Sequence, residues 1–241
     1  MARISVLIPQ RNAGAAVISQ IAKTREALAQ IAGVHELIVL DDASRPELVR
    51  QLAETLAGQP HVQLLQLSPA CGLSAALSAG LNAATGDVIV ALPAGEACGL
   101  DLLKTLLEEL VRADLVVGRP QRHGIRKVLH RLARIPRWFL LGLEVRDPEC
   151  LVWAARREAI AHLQLPCGMY RYLATLVAAR GFRVSEVTIP TTGRSIALTD
   201  GLPNPGDLLA AWWFKRRWRQ YERMEITTSP RMEYSACRQS P

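Results

Sequence analysis

The chain has 241 residues, enough for one α/β domain with a full core. Its 49% apolar and 21% charged composition excludes a disordered chain, and no apolar run approaches the ~18–20 residues that cross a bilayer. The net charge of +7 is uneven: 8 Lys/Arg face 12 Asp/Glu through Gly118, and 21 face 10 beyond it, which points to a polyanionic partner for the second half. Met1 to Pro9 is too short in its apolar part for a signal peptide. It reads instead as a strand over Ile4 to Ile8, closed by Pro9. Apolar spacing predicts a helix over Ala15 to Ala32. A strand follows over Glu36 to Leu40, ended by an acidic turn, Asp41-Asp42-Ala43-Ser44. Pro46 to Leu56 reads as a helix with proline in its first turn. Val62 to Leu67 is a strand, Leu73 to Ala84 a helix, Val88 to Leu92 a strand, Leu100 to Val111 a helix and Leu115 to Val117 a strand. Strands alternating with helices predict right-handed crossovers and a mostly parallel sheet.

After Gly118 the pattern changes. Residues 119–137 carry Arg119, Arg122, Arg126, Lys127, Arg131, Arg134 and Arg137 with no acid among them. Cys150 to Ala155 reads as a strand, Arg156 to Leu163 and Tyr170 to Arg180 as helices, and Arg183 to Ile189 as the last strand. Pro190 to Asp207 is loop. Asp207 is placed as the N-cap of a helix running to Arg223, followed by a polar tail from Thr227. Five scattered cysteines, with no CxxC pair and no histidine at ligand spacing, argue for reduced thiols and against zinc.

Several segments in order carry a resemblance: Ile4 to Asn12, Glu36 to Ser44, Gly72 to Leu81, Thr85-Gly86-Asp87, Val116 to Arg119, Val145 to Pro148 and Gly181 to Val187. Together they resemble the dolichyl-phosphate-mannose-synthase-like branch of the family 2 glycosyltransferases, over roughly residues 3–195. The resemblance implies a GT-A type α/β fold: a single domain with a mostly parallel, Rossmann-like sheet and helices on both faces. It sets the domain at 1–195, the loop and last helix at 196–226 and the tail at 227–241. It implies a nucleoside-diphosphate sugar as donor, with Pro9, Arg11, Asn12, Asp41, Asp42, Gly72 and Arg119 on the binding side. Asp41 and Asp42 can accept from a base or ribose, or can form an acidic turn capping the helix at Pro46. Arg11 stands at the family's aromatic position and Ala13 at its glutamate.

The family's metal site, an Asp-x-Asp for Mg²⁺ or Mn²⁺, falls on Pro93 and Gly95, which offer no side-chain oxygen. Glu96, one residue beyond, and Asp101, further on, are the candidate ligands that remain. Asp147 lies near where inverting relatives place acceptor-side groups, so it is a candidate base; its structural alternatives are a salt bridge to Arg146 or a helix cap. The acceptor implied is a polyprenyl phosphate or a membrane glycolipid at the inner, cytoplasmic face of a membrane. Arg126, Arg131, Trp212, Trp213 and Trp218 would lie towards it. Tryptophan with dense arginine suits an interfacial helix on anionic lipid, and an aromatic stripe packed on the core fits the same residues. No nucleic-acid motif accompanies the basic segments. Two functions therefore stand open: a glycosyltransferase, or a non-catalytic relative that binds or assembles.

Overall fold

A computed structural model describes residues 3–94, 99–120, 151–161, 163, 165–189 and 205–221. Among the described residues seven strands form one sheet: β1 (Ile4–Gln10), β2 (His35–Asp42), β3 (Val62–Leu67), β4 (Val88–Ala91), β5 (Leu115–Pro120), β6 (Trp153–Arg156) and β7 (Val184–Ile189). Their order is β3-β2-β1-β4-β6-β5-β7. β3-β2-β1-β4 and β5-β7 pair parallel, and β6 runs antiparallel between β4 and β5. The expectation of a mostly parallel sheet with helices on both faces is met, with one reversed strand.

The helices are α1 (Ala15–Ala29), α2 (Pro46–Leu56), α3 (Gly72–Ala83), α4 (Leu100–Glu109), α5 (Arg157–Ile160), α6 (Leu173–Ala179) and α7 (Pro205–Tyr221). Met169–Tyr172 forms a 3-10 turn ahead of α6, so the helix read over Tyr170 to Arg180 opens as a tighter coil. Side chains alternate across the strands and split the core into two layers. Leu7, Ile38, Leu40, Ile89 and Ala91 pack with Leu73 and Leu77 of α3, Leu176 of α6 and Ala211 of α7. Val6, Ile8, Leu37, Val39 and Val90 pack on the other face with Val17 and Ile21 of α1, Leu52 of α2 and Leu103 of α4. A sheet covered on both faces accounts for the continuous apolar runs in the sequence.

Two local readings change. Asp41 and Asp42 belong to β2 itself rather than to a turn beyond it. The last helix starts at Pro205, so Asp207 lies in its first turn and is not its N-cap. A proline at the start of a helix costs nothing there, because the first amides have no partner within the helix.

The amino edge of the sheet is tied by a buried network around Glu36, which is 4% exposed. Ser5 Oγ, Thr85 N and Thr85 Oγ1 all donate to Glu36 Oε1, and Gly86 N donates to Ser5 Oγ. Burial alone would raise the Glu36 pKa. The bonds from Ser5 and Thr85 and the Arg3 charge outweigh it and hold the carboxyl below its ordinary value. A carboxyl depressed in the folded state stabilises above its unfolded pKa, and that stability is lost as pH falls through the folded value. Glu36→Gln should therefore flatten the acid limb of a stability-against-pH curve below about pH 4.5. Thermal melts of both proteins from neutral pH downward read this directly; parallel curves would show that Glu36 is not the group responsible.

Candidate functional site

The chain passes from β1 to β2 and β3 on one side, then crosses to β4 on the other. The carboxyl ends of β1 and β4 are thus a topological switch point, where open α/β sheets bind ligands. Backbone bonds continue the pairing past the end of β4: Leu92 N donates to Leu7 O at 2.9 Å and Ala94 N to Pro9 O at 3.0 Å. Gln20, buried on α1, donates from Nε2 to the carbonyls of both Leu92 and Pro93 at 3.1 Å. This strand end is held from two directions.

Beside it, β1 and β2 end in register with Gln10 opposite Asp41. Asp41 is 1% exposed and accepts from Gln10 Nε2, from Ser44 Oγ and, at 3.1 Å, from Ser44 N. Ser44 Oγ in turn accepts from Asn12 N at 2.8 Å. Asn12 Oδ1 accepts from Arg45 N at 2.9 Å, fixing the two loops to each other.

Asp42 has no exposed surface. Its Oδ1 accepts from Cys71 N at 2.7 Å and from Gly72 N at 3.1 Å, the first amides of α3. Asp42 therefore caps α3 while Asp41 holds Gln10 and Ser44, and the helix at Pro46 has Arg45 as its N-cap, with no side-chain cap bond. A carboxylate there satisfies orphan donors and meets the positive end of the helix. Gly72 turns into the helix at a φ of 82°, a region open to glycine at little cost. Arg11 Nη1 lies 3.8 Å from Asp42 Oδ2, with its side chain 47% exposed. The edge thus presents a guanidinium and the Asn12 backbone over two carboxylates already engaged within the protein.

The described donor set does not fit a divalent cation. Pro93 has no side-chain oxygen, its carbonyl and that of Leu92 accept from Gln20, and Asp41 and Asp42 are buried among their own donors. Among the described residues no group of three His, Cys, Asp or Glu could hold a metal. Gly95 and Glu96 lie outside the described residues, as do Arg126, Arg131, Asp147 and the side chain of Trp218.

The structure brings Pro9, Arg11, Asn12, Asp41, Asp42 and Gly72 to one edge. Arg119 does not join them: at the end of β5 its Nη2 donates to Thr188 Oγ1 of β7 at 2.7 Å, on the side away from β4. Gln10, Gln20 and Ser44 complete the cluster without having been singled out from sequence. Gln20 carried a signal: it is a polar residue inside the apolar stripe of α1, between Val17 and Ile21.

Comparison with known proteins agrees with this geometry. The family model described as "Glycosyl transferase family 2" matches residues 5–169. An undecaprenyl-phosphate 4-deoxy-4-formamido-L-arabinose transferase of Aeromonas hydrophila is 29% identical over 164 residues, covering 65% of this chain and 50% of its own. A dolichol-phosphate mannosyltransferase of Pyrococcus furiosus is 25% identical over 197 residues, covering 77% and 55%. The chain thus spans about half the length of these relatives. In fold it resembles glucosyl-3-phosphoglycerate synthase of Mycobacterium tuberculosis, solved with Mn²⁺, UDP-glucose and phosphoglyceric acid, at a TM-score of 0.62 and 20% identity. That likeness covers 90% of this chain and 77% of the synthase, and it shows a shared GT-A type architecture.

Proposed function

Since the chain belongs to glycosyl transferase family 2, we propose that it transfers a sugar from a nucleoside diphosphate to a polyprenyl phosphate. The observation that carries this reading is the β1/β4 switch point, where Arg11 and Asn12 emerge above the buried pair Asp41 and Asp42. A half-exposed guanidinium beside a fixed loop suits a phosphate-bearing or planar ligand. The acceptor class rests on the relatives named as undecaprenyl-phosphate and dolichol-phosphate transferases. A phosphate acceptor is already nucleophilic near neutral pH, so Asp147 as a dedicated base is not required. Such an acceptor is held in a bilayer, which makes an anionic membrane surface part of the reading, with Arg126, Arg131, Trp212, Trp213 and Trp218 on that side.

No step is assigned to Mg²⁺ or Mn²⁺, because Pro93 and the engaged carboxylates leave Glu96 and Asp101 as the acidic candidates that follow that strand end in the sequence. The test is transfer of labelled sugar from UDP, GDP and dTDP donors to polyprenyl phosphate in detergent. Product from one donor is expected, and EDTA should leave its yield within about twofold of that with Mn²⁺. No product from any donor, while nucleotide still binds, would favour the second reading. That reading is a non-catalytic relative acting as a binding or assembly partner, and it is supported by the missing oxygens at Pro93 and Gly95.

A further inference from the structure

The outward face of α7 is unlike the rest of the described surface. Only four large apolar side chains are exposed among the described residues, and two of them, Leu209 (57%) and Trp213 (56%), stand four apart on this helix. Arg216 and Arg217 follow on the same face at helical spacing. Arg216 lies over the Trp212 ring with 5.6 Å to its centroid, and Arg217 over Trp213 at the same distance. These four side chains line an open cleft of about 380 Å³. The opposite face is covered: Ala211 is fully buried, and Leu208 and Phe214 pack against the core, with Trp212 half-buried between the two faces. The aromatic residues of α7 therefore divide, with Phe214 inward and Trp213 outward.

The helix also has a definite place relative to the switch point. An added Cβ on Gly168 would lie 2.9 Å from Asp207 Oδ2, so the first turn of α7 abuts the loop ahead of the 3-10 turn. In that turn Tyr170 N donates to Ser74 Oγ at 3.4 Å, and Ser74 sits in the first turn of α3, whose leading amides bind Asp42. The first turn of α7 is thus linked through the 3-10 turn to the head of α3 at the carboxyl edge.

We propose that this face docks the protein on an anionic phospholipid surface, with Leu209 and Trp213 inserted at headgroup level and Arg216 and Arg217 on lipid phosphates. Charge and chemistry select the occupant. α7 carries Lys215, Arg216, Arg217 and Arg219 against Asp207 alone, and paired tryptophan and arginine suit the boundary between acyl chains and phosphate. A stable protein partner takes about 20–30 residues on each side, far more than this face supplies. The inference rests on the transferase reading only for its purpose, which is to bring the switch point to a lipid-borne acceptor.

The test is flotation of the full chain with phosphatidylcholine vesicles, with and without phosphatidylglycerol, in the absence of nucleotide and acceptor. Binding should appear or rise with the anionic lipid and fall in high salt. Arg216→Ala with Arg217→Ala should weaken it by about thirtyfold, and Trp213→Ala by about tenfold. Both variants should keep the parent melting temperature, since the residues are exposed. Wild-type chain that ignores anionic vesicles, or folded variants that bind them equally well, would overturn the proposal. So would equal competition by soluble polyglutamate at matched charge, which would mark the face as a site for acidic protein. Vesicle binding without any transfer would leave the docking surface standing and remove the transferase reading; transfer to a detergent-solubilised acceptor without vesicle binding would do the reverse.

Discussion

Asp42→Ala is expected to lower stability by about 3 kcal/mol, read as a reduced denaturant midpoint with an unchanged slope. The change removes the acceptor for Cys71 N and Gly72 N at the head of α3 and the charge beside Arg11. Those amides adjoin a carboxylate with no exposed surface, so replacement by water would have to reopen the β2–α3 junction. Asp42→Asn keeps an oxygen for both amides and loses only the charge, so about 1 kcal/mol should be lost. The contrast between the two variants separates the cap from the charge. Equal losses would mean that the charge, with its attraction to Arg11 and to the helix end, accounts for the whole effect. No loss in either would show that Asp42 does not hold this edge together.

Gly86→Ala should cost about 3 kcal/mol, or on the order of 10 °C in melting temperature for a domain of this size. Gly86 lies in the Thr85-Gly86-Asp87 turn against the start of β1. A Cβ there would meet Ser5 Oγ at 2.6 Å, Ser5 N at 2.7 Å and Arg3 O at 2.8 Å. Two of those atoms are backbone, so the clash cannot be relieved by a side-chain rotation. The turn is also held from outside: Asp87 N donates to Arg3 O, Arg157 Nε to Gly86 O at 2.7 Å and Arg157 Nη2 to Ala84 O at 2.6 Å. Displacing β1 would disturb the Glu36 network as well. A melting temperature within a degree or two of the parent would show that the contact is softer than the geometry states.

Elements governed by local chemistry were legible in the sequence. The bounds of α2 and β3 are those that Pro46, the apolar spacing and the strand pattern define, and the run Leu37 to Leu40 is apolar because β2 is covered on both faces. What depended on distant partners was not. Nothing within Trp153–Arg156 distinguishes a reversed strand from a parallel one, because its direction is set by β4 and β5. Asp41 and Asp42 read as an acidic turn because their partners lie elsewhere: Gln10 is 31 residues away and Cys71 is 29. Arg119 looked like a donor-side residue by position along the chain, whereas its hydrogen bond to Thr188 faces it towards β7. The start of α7 was legible in principle, since Pro205 is a better opening signal than Asp207. At the switch point, sequence showed which oxygens Pro93 lacks, and structure added that the neighbouring carbonyls and carboxylates are already in use.

The central claim is that the β1/β4 switch point binds a nucleoside-diphosphate sugar with Arg11 at its rim. Calorimetric titration of the full chain with UDP, GDP and dTDP sugars, in Mn²⁺ and in EDTA, tests it most directly. The account predicts saturable binding of one donor in both buffers, weakened about tenfold or more by Arg11→Ala, with the variant's fold intact. Silence across the panel from well-folded protein, or binding indifferent to Arg11, would contradict it.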